Sequence, residues 1–167
     1  MELVRVRPND VSYNSAAHAC AGAGRSDLAA GCLAAMEAAG MTPDLRSFSS
    51  VIHACAKAGQ PDEAAEWLHR AVAAGVKPDV VSYNSILNAC AKARQPARAS
   101  EWLDAMEASG VKPNVRSYTS CIAACNDGKP GGREAAERLL RRLHLGRLRP
   151  DAMLLGILSR IMGTDDI

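Results

Sequence analysis

Aromatic side chains are scarce in this chain: one Phe, two Trp and three Tyr make up 4% of its 167 residues. A β-sandwich core, which draws on Val, Ile and aromatic rings, fits that composition poorly. Charge of one sign is missing too. Twenty Lys and Arg stand against 18 Asp and Glu, a net charge of +2, so composition alone supplies no strong pull toward a polyanion. No apolar run approaches the roughly 18 residues that a membrane-spanning helix needs, and no membrane association is expected. The opening residues show neither an apolar signal-peptide core nor an Arg/Ser-rich transit segment. There is no C-x-x-C pair among the six cysteines, which removes the usual zinc-ribbon and redox patterns. What the chain does have is small apolar residues. Hydrophobics reach 48%, with abundant Ala, a composition suited to close helix-on-helix packing, and the length is enough to bury a core.

Internal repetition organises the rest. The string V-S-Y-N-S begins at Val11 and again at Val81, with R-S-F-S-S at Arg46 and R-S-Y-T-S at Arg116, a regular spacing of 35. Cys20, Cys55, Cys90 and Cys125 keep the same interval, as do Pro43, Pro78 and Pro113 and the pair Trp67 and Trp102. The chain divides into units 10–44, 45–79, 80–114 and 115–151; the last is 37 long because Gly-Lys-Pro-Gly-Gly at 128–132 lengthens its internal turn by two. Residues 1–9 read as the end of a preceding unit, since Pro8-Asn9 matches the other Pro-Asp pairs. Residues 152–167 read as a single capping helix and a tail, and the whole as part of a longer array.

Each unit reads as two amphipathic helices. In unit three, Tyr83, Ile86, Leu87 and Cys90 fall at i, i+3, i+4 and i+7, and Ala99, Trp102, Leu103 and Met106 repeat the template in the second helix. The Pro-Asp or Pro-Asn pair before each first helix supplies a breaker and an N-cap. Pro61 and Pro96 suit a first helical turn, and Gly40, Gly75 and Gly110 suit helix ends. The expected fold is all-α: a superhelical solenoid of αα-hairpins in tandem 35-residue repeats. The cysteines and both tryptophans are expected in its core. His18 and His53 recur with the repeat, but no nucleophile or carboxylate recurs beside them, so no catalytic residue, metal site or cofactor is expected.

The string V-S-Y-N-S-I-L-N-A-C-A-K-A from Val81, followed by E-W-L-D-A-M-E-A-S-G-V-K-P-N from Glu101, resembles the pentatricopeptide repeat. The tetratricopeptide repeat has a shorter period and a Trp-Leu-Gly-Tyr pattern that is absent here. The resemblance implies that each unit binds one base of single-stranded RNA, read by the fifth and last residues along a face built from the first helices. The implied pairs are Asn14 with Asp44, Ser49 with Asp79, Asn84 with Asn114, and Thr119 with Asp151. By the family's preferences they read uridine, guanosine, a pyrimidine and guanosine, 5′ to 3′. Val11 and Val81 match the apolar residue that flanks the base. Arg46 and Arg116 depart from it, though a guanidinium plane also stacks on bases. Lys57 and Lys92 stand where phosphates would run. The resemblance further implies a non-catalytic, monomeric module of organelle RNA metabolism, in mitochondrion or chloroplast, with a recruited RNA-processing enzyme as a further partner.

The residues themselves support such a face. A second stripe, polar or basic, lies off the core stripe and carries Asn14 and His18, Ser49, His53 and Lys57, Asn84, Asn88 and Lys92. An Asp closing a unit caps the next helix with or without RNA; Asn, Ser or Thr within a helix is the more telling choice. Charge is uneven: unit one has one basic residue against four acidic, whereas unit four has eight against four. The low net charge and the acidic first unit suit an alternative, a protein-interaction scaffold using the groove of the solenoid. A third reading makes the repeats the targeting arm of an enzyme whose catalytic domain lies elsewhere.

Overall fold

The computed structural model describes residues 8–126 and 131–162. Most of 1–9, the insertion at 128–130 and the tail from 163 therefore lie outside the described residues. Helices follow in pairs: α1 (Asp10–Gly22) and α2 (Ser26–Ala38), α3 (Leu45–Ala58) and α4 (Pro61–Ala73), α5 (Val80–Lys92) and α6 (Pro96–Ala108), α7 (Val115–Ala124) and α8 (Gly132–Leu145), then a single α9 (Ala152–Met162). No strand occurs among the described residues. The fold is the expected all-α solenoid of helical hairpins.

Local chemistry sets the boundaries. Asn9, Asp44, Asp79 and Asn114 adopt extended backbone and accept from the amide three residues on, at Ser12, Ser47, Ser82 and Ser117. Pro61 and Pro96 open α4 and α6, where their missing N–H leaves no bond unmade. Second helices end in a left-handed residue with a 6→1 bond behind it: Met41 N to Met36 O, Val76 N to Ala71 O and Val111 N to Met106 O, each 3.0–3.1 Å. Glycine holds the left-handed position at Gly40, Gly75 and Gly110, and Arg147 holds it after α8, at φ 56°.

The first helices pack on one another in a continuous row, α1–α3–α5–α7, which α9 extends. Small residues make this possible: Ala54, Ala89 and Ala124, equivalent at the repeat spacing, are fully buried. Each second helix packs on its own partner and on the next first helix. Second helices reach one another through long side chains, with Arg70 to Glu37 at 2.7 Å, Arg98 to Asp62 at 2.6 Å and Arg142 to Asp104 at 2.8 Å. A close inner row beside a splayed outer row curves the stack and puts the first helices on its concave side.

Two core expectations need correction. Cys55, Cys90, Cys121 and Cys125 are buried, and burial pushes the Cys55 thiol up to about 11. Cys20 and Cys32 are only half-buried, because no described element covers the outer side of the first hairpin. Trp67 and Trp102 are also half-buried. They roof the core edge, with the Arg70 guanidinium 4.8 Å over the Trp67 ring and His69 5.6 Å from Trp102.

Candidate nucleic-acid interface

The concave row presents the fifth residue of each unit one helical turn after the helix start, half to fully buried between adjacent first helices. Asn14, Asn84 and Thr119 are buried and Ser49 is half-buried. Two of the four bond directly to the cap of the next helix, since the last residue of one unit is also the N-cap of the following one. Asn14 donates through Nδ2 to Asp44 Oδ1 at 3.4 Å, and Asn84 donates likewise to Asn114 Oδ1 at 3.3 Å. Ser49 reaches Asp79 indirectly: its Oγ lies 3.0 Å from Ser82 Oγ, which donates to Asp79 Oδ1 at 2.9 Å. Thr119 donates back to Val115 O of its own helix at 2.8 Å. It shares a groove with Asp151, and no hydrogen bond between the two is described.

Two open grooves run along this row. One, of about 640 Å³, lies between Arg46 and Val81 and is lined by Asn14, His18, Ser49 and His53. The other, of about 440 Å³, lies between Arg116 and Met153, with Thr119, Asp151 and Asn88 in its wall. Of the expected flanking residues, Arg46, Val81 and Arg116 line these grooves, whereas Val11 lines neither; Val11 and Val81 are both more than half exposed. Met153 was not among the sequence-based candidates. It is 70% exposed and stands two residues after Asp151, as Val11 stands two after Asn9, Arg46 two after Asp44, Val81 two after Asp79 and Arg116 two after Asn114. That offset is the signal that identifies it, once the repeat is extended past the last complete unit.

Lys57 and Lys92 are already engaged. The Lys57 ammonium donates to Gly22 O, and Lys92 donates to Ala56 O at 3.3 Å and Lys57 O at 3.0 Å. Each neutralises the carbonyl end of the preceding first helix, and an ammonium has three donors, so donor capacity remains, although neither lysine lines either groove. Burial pushes the Asp44 carboxyl up, but hydrogen bonds from the Ser47 amide and hydroxyl and from Asn14 outweigh it and hold the group below its ordinary value. Asp44 is therefore an anion and a committed acceptor.

Sequence comparison fits this geometry. The model of the pentacotripeptide-repeat region of PRORP matches residues 1–93, and that of the PPR repeat family matches residues 78–127. The chain belongs to the pentatricopeptide repeat family. No curated protein matches it. Among solved structures, maize pentatricopeptide repeat protein PPR10 shares 30% identity at a TM-score of 0.73, over 96% of this chain and 23% of that one. PPR10 in complex with an 18-nt psaJ RNA element superposes at a TM-score of 0.81 with 23% identity, over 94% of this chain and 23% of that one. The PPR domain of Arabidopsis thaliana protein-only RNase P 1, in complex with tRNA, gives 0.74 at 15% identity over 91% and 79%. The chain thus spans about a quarter of the PPR10 chains it matches.

Proposed function

We propose that this chain is a single-stranded RNA-binding module that reads one base per unit and has no catalytic activity of its own. The observation that carries the reading is the alternation of polarity along the concave row. The Asn14 and Asn84 oxygens are turned inward onto serine hydroxyls and one Nδ2 proton of each is held by the cap, which leaves an N–H for the groove. The Thr119 hydroxyl proton is directed at Val115 O, and the Ser49 hydroxyl can likewise donate to Ser82 Oγ, which leaves lone pairs for the groove. Donors suit the carbonyl oxygens of uracil and cytosine and the N3 of cytosine. Acceptors suit the N1–H and N2–H groups of guanine.

That alternation supports the readout uridine, guanosine, pyrimidine, guanosine from Asn14/Asp44, Ser49/Asp79, Asn84/Asn114 and Thr119/Asp151, with units 10–44, 45–79, 80–114 and 115–151. Val11, Arg46, Val81, Arg116 and Met153 stack on the bases, and Lys57 and Lys92 meet phosphates. PPR10, whose chain this one matches in part, was solved with bound RNA, which supports the same class of ligand. Organelle transcripts in mitochondrion or chloroplast are the setting that the family resemblance supplies, with recruitment of a processing enzyme by a longer protein.

Four bases at ~1–3 kcal/mol of stacking each, less the cost of association, give weak binding. The test is a titration of short RNAs carrying the implied tetranucleotide, a scrambled order and the matching DNA, at two salt concentrations. The matched RNA should bind most tightly, with log K falling against log salt at ~0.7 per neutralised phosphate. Equal or undetectable binding to all three would contradict the reading and favour the protein scaffold.

A further inference from the structure

We propose that the buried serine three residues after each cap (Ser47, Ser82 and Ser117) is a positioning residue that sets which face of the preceding unit's base-reading side chain is offered to RNA. Specificity at one base is then shared across a unit boundary. The inference rests on the RNA-reading function proposed above.

The three serines are 0–2% exposed, so their hydroxyls have no access to water and must bond to protein. At the first boundary Ser47 Oγ is 2.7 Å from Asn14 Oδ1 and 2.8 Å from Asp44 Oδ1. It has a single proton. The Asp44 carboxylate, already bonded to the Ser47 amide at 2.9 Å, can only accept, so the nearby end of the Asn14 amide must be Nδ2. The Asn14 oxygen then falls on the serine hydroxyl, whose one proton is within reach of both Asn14 Oδ1 and Asp44 Oδ1. Reversing the amide would set its oxygen against a carboxylate oxygen. The side chain therefore has one orientation, and its remaining N–H is what a base meets.

The third boundary repeats this arrangement. Ser117 Oγ donates to Asn84 Oδ1 at 2.6 Å while Asn84 Nδ2 donates to Asn114 Oδ1. At the second boundary the same device gives the opposite polarity. Ser82 Oγ lies 2.9 Å from Asp79 Oδ1 and 3.0 Å from Ser49 Oγ; with the Ser82 proton on the carboxylate, Ser49 is the donor to Ser82 and offers lone pairs outward.

The fourth boundary lacks the serine. Leu154, fully buried, stands in its place, and only its amide bonds to Asp151. There Thr119 turns to a carbonyl of its own helix. The reading side chain follows the residue across the boundary, as a positioning role requires.

The experiment compares Ser117→Ala and Ser117→Thr with the unaltered chain, using RNAs that differ only at the third or only at the second base. In Ser117→Ala, the preference for a pyrimidine over guanosine at base three should fall about five- to tenfold. The preference at base two should hold, and Ser117→Thr, which keeps the hydroxyl, should restore the lost ratio. A purely structural serine would weaken all RNAs alike, and an unchanged ratio at base three would overturn the proposal. Thermal unfolding of each variant identifies a failure to fold, in which case Ser47→Ala, read at base one, decides in the same terms. Solvent exchange of the Asn84 side-chain amide protons is the readout without RNA. It should quicken about fivefold in Ser117→Ala, and equal exchange would overturn the serine's role. Absence of any RNA binding by the unaltered chain would instead sink the proposed function, leaving the amide measurement to decide the serine.

Discussion

His53 stands in the wall of the first groove, and burial, then the positive charges of Lys57, His18, Lys92 and Arg116, hold its imidazole below its ordinary value. His18 faces it from α1, Lys92 from α5 and Arg116 from α7, while Lys57 and Arg46 belong to its own helix. A depressed folded value means that its contribution to stability is fully present above the ordinary histidine range near pH ~6.5 and is lost as pH falls through the folded value. RNA reverses the preference, because a phosphate favours the imidazolium. Affinity should therefore rise several-fold between pH ~7.5 and ~5.5, with thermal stability of the free protein falling over the same interval. His53→Gln should flatten both curves. A flat affinity profile for the unaltered chain would place the phosphates away from His53.

At this same scale the proposed reading pairs could be picked out in the sequence as types and positions. Asn, Ser and Thr at a repeated helical position signal function, because a helix interior gives them no structural advantage. What each side chain offers was not legible. That depends on whether Ser47 or Ser117 lies within hydrogen-bond reach across a boundary some 33 residues away in sequence, which spacing alone does not reveal. Lys57 and Lys92 show the converse. Their basic character was plain from the sequence, but their bonds to helix-end carbonyls depend on how closely neighbouring first helices approach.

Among the elements, boundaries were the most legible feature, since Pro, Gly and cap residues act within a few positions of where they sit. Burial was less so. Trp67 and Trp102 share the periodicity of core residues yet lie at its edge, because the splayed second helices leave room for large rings only at the rim. The α9 helix carries apolar residues on several faces: Leu154 and Leu158 are buried against the last unit, whereas Met153 is exposed at the groove.

The helix ends also yield a stability prediction. The equivalent turns after α1 and α3 place glycine in the left-handed region, at Gly24 and Gly59, but the turn after α5 uses Arg94, exposed, at φ 52°. A side chain in that conformation costs about 1–2 kcal/mol, partly offset by the greater freedom glycine has when unfolded. Arg94→Gly should therefore raise stability by about 0.5–1 kcal/mol in chemical denaturation. Unchanged or lowered stability would mean that the arginine makes a compensating contact. The same substitution at Arg147, φ 56°, should act in the same direction.

For the whole molecule, curvature links fold to function. Buried alanines draw the first helices together, and ion pairs spaced by long side chains hold the second helices apart, so polar residues on the first helices line a concave track. The salt bridges across the outer row are partly exposed, with side-chain exposures of 50% and 35% for Arg70 and Glu37. Each stabilises modestly and steers spacing more than strength. Because the repeat was explicit in the sequence, this architecture was legible before any coordinates. The uneven distribution of charge was legible too, but its placement was not: Arg138, Arg141 and Arg142 of the last unit lie on α8 in the outer row, where Arg142 pairs with Asp104 and Glu107.

In the proposed function each pair of side chains reads one base, and a single exchange tests this most directly. Thr119→Asn replaces an acceptor with an amide whose Nδ2 is drawn toward the Asp151 carboxylate, the orientation Asn14 has toward Asp44, here with Leu154 in place of the serine. In competition between RNAs differing only at the fourth base, preference should move from guanosine to uridine by about tenfold or more, with the first three bases read as before. A variant that binds with the original preference for guanosine would contradict the reading of bases by these pairs.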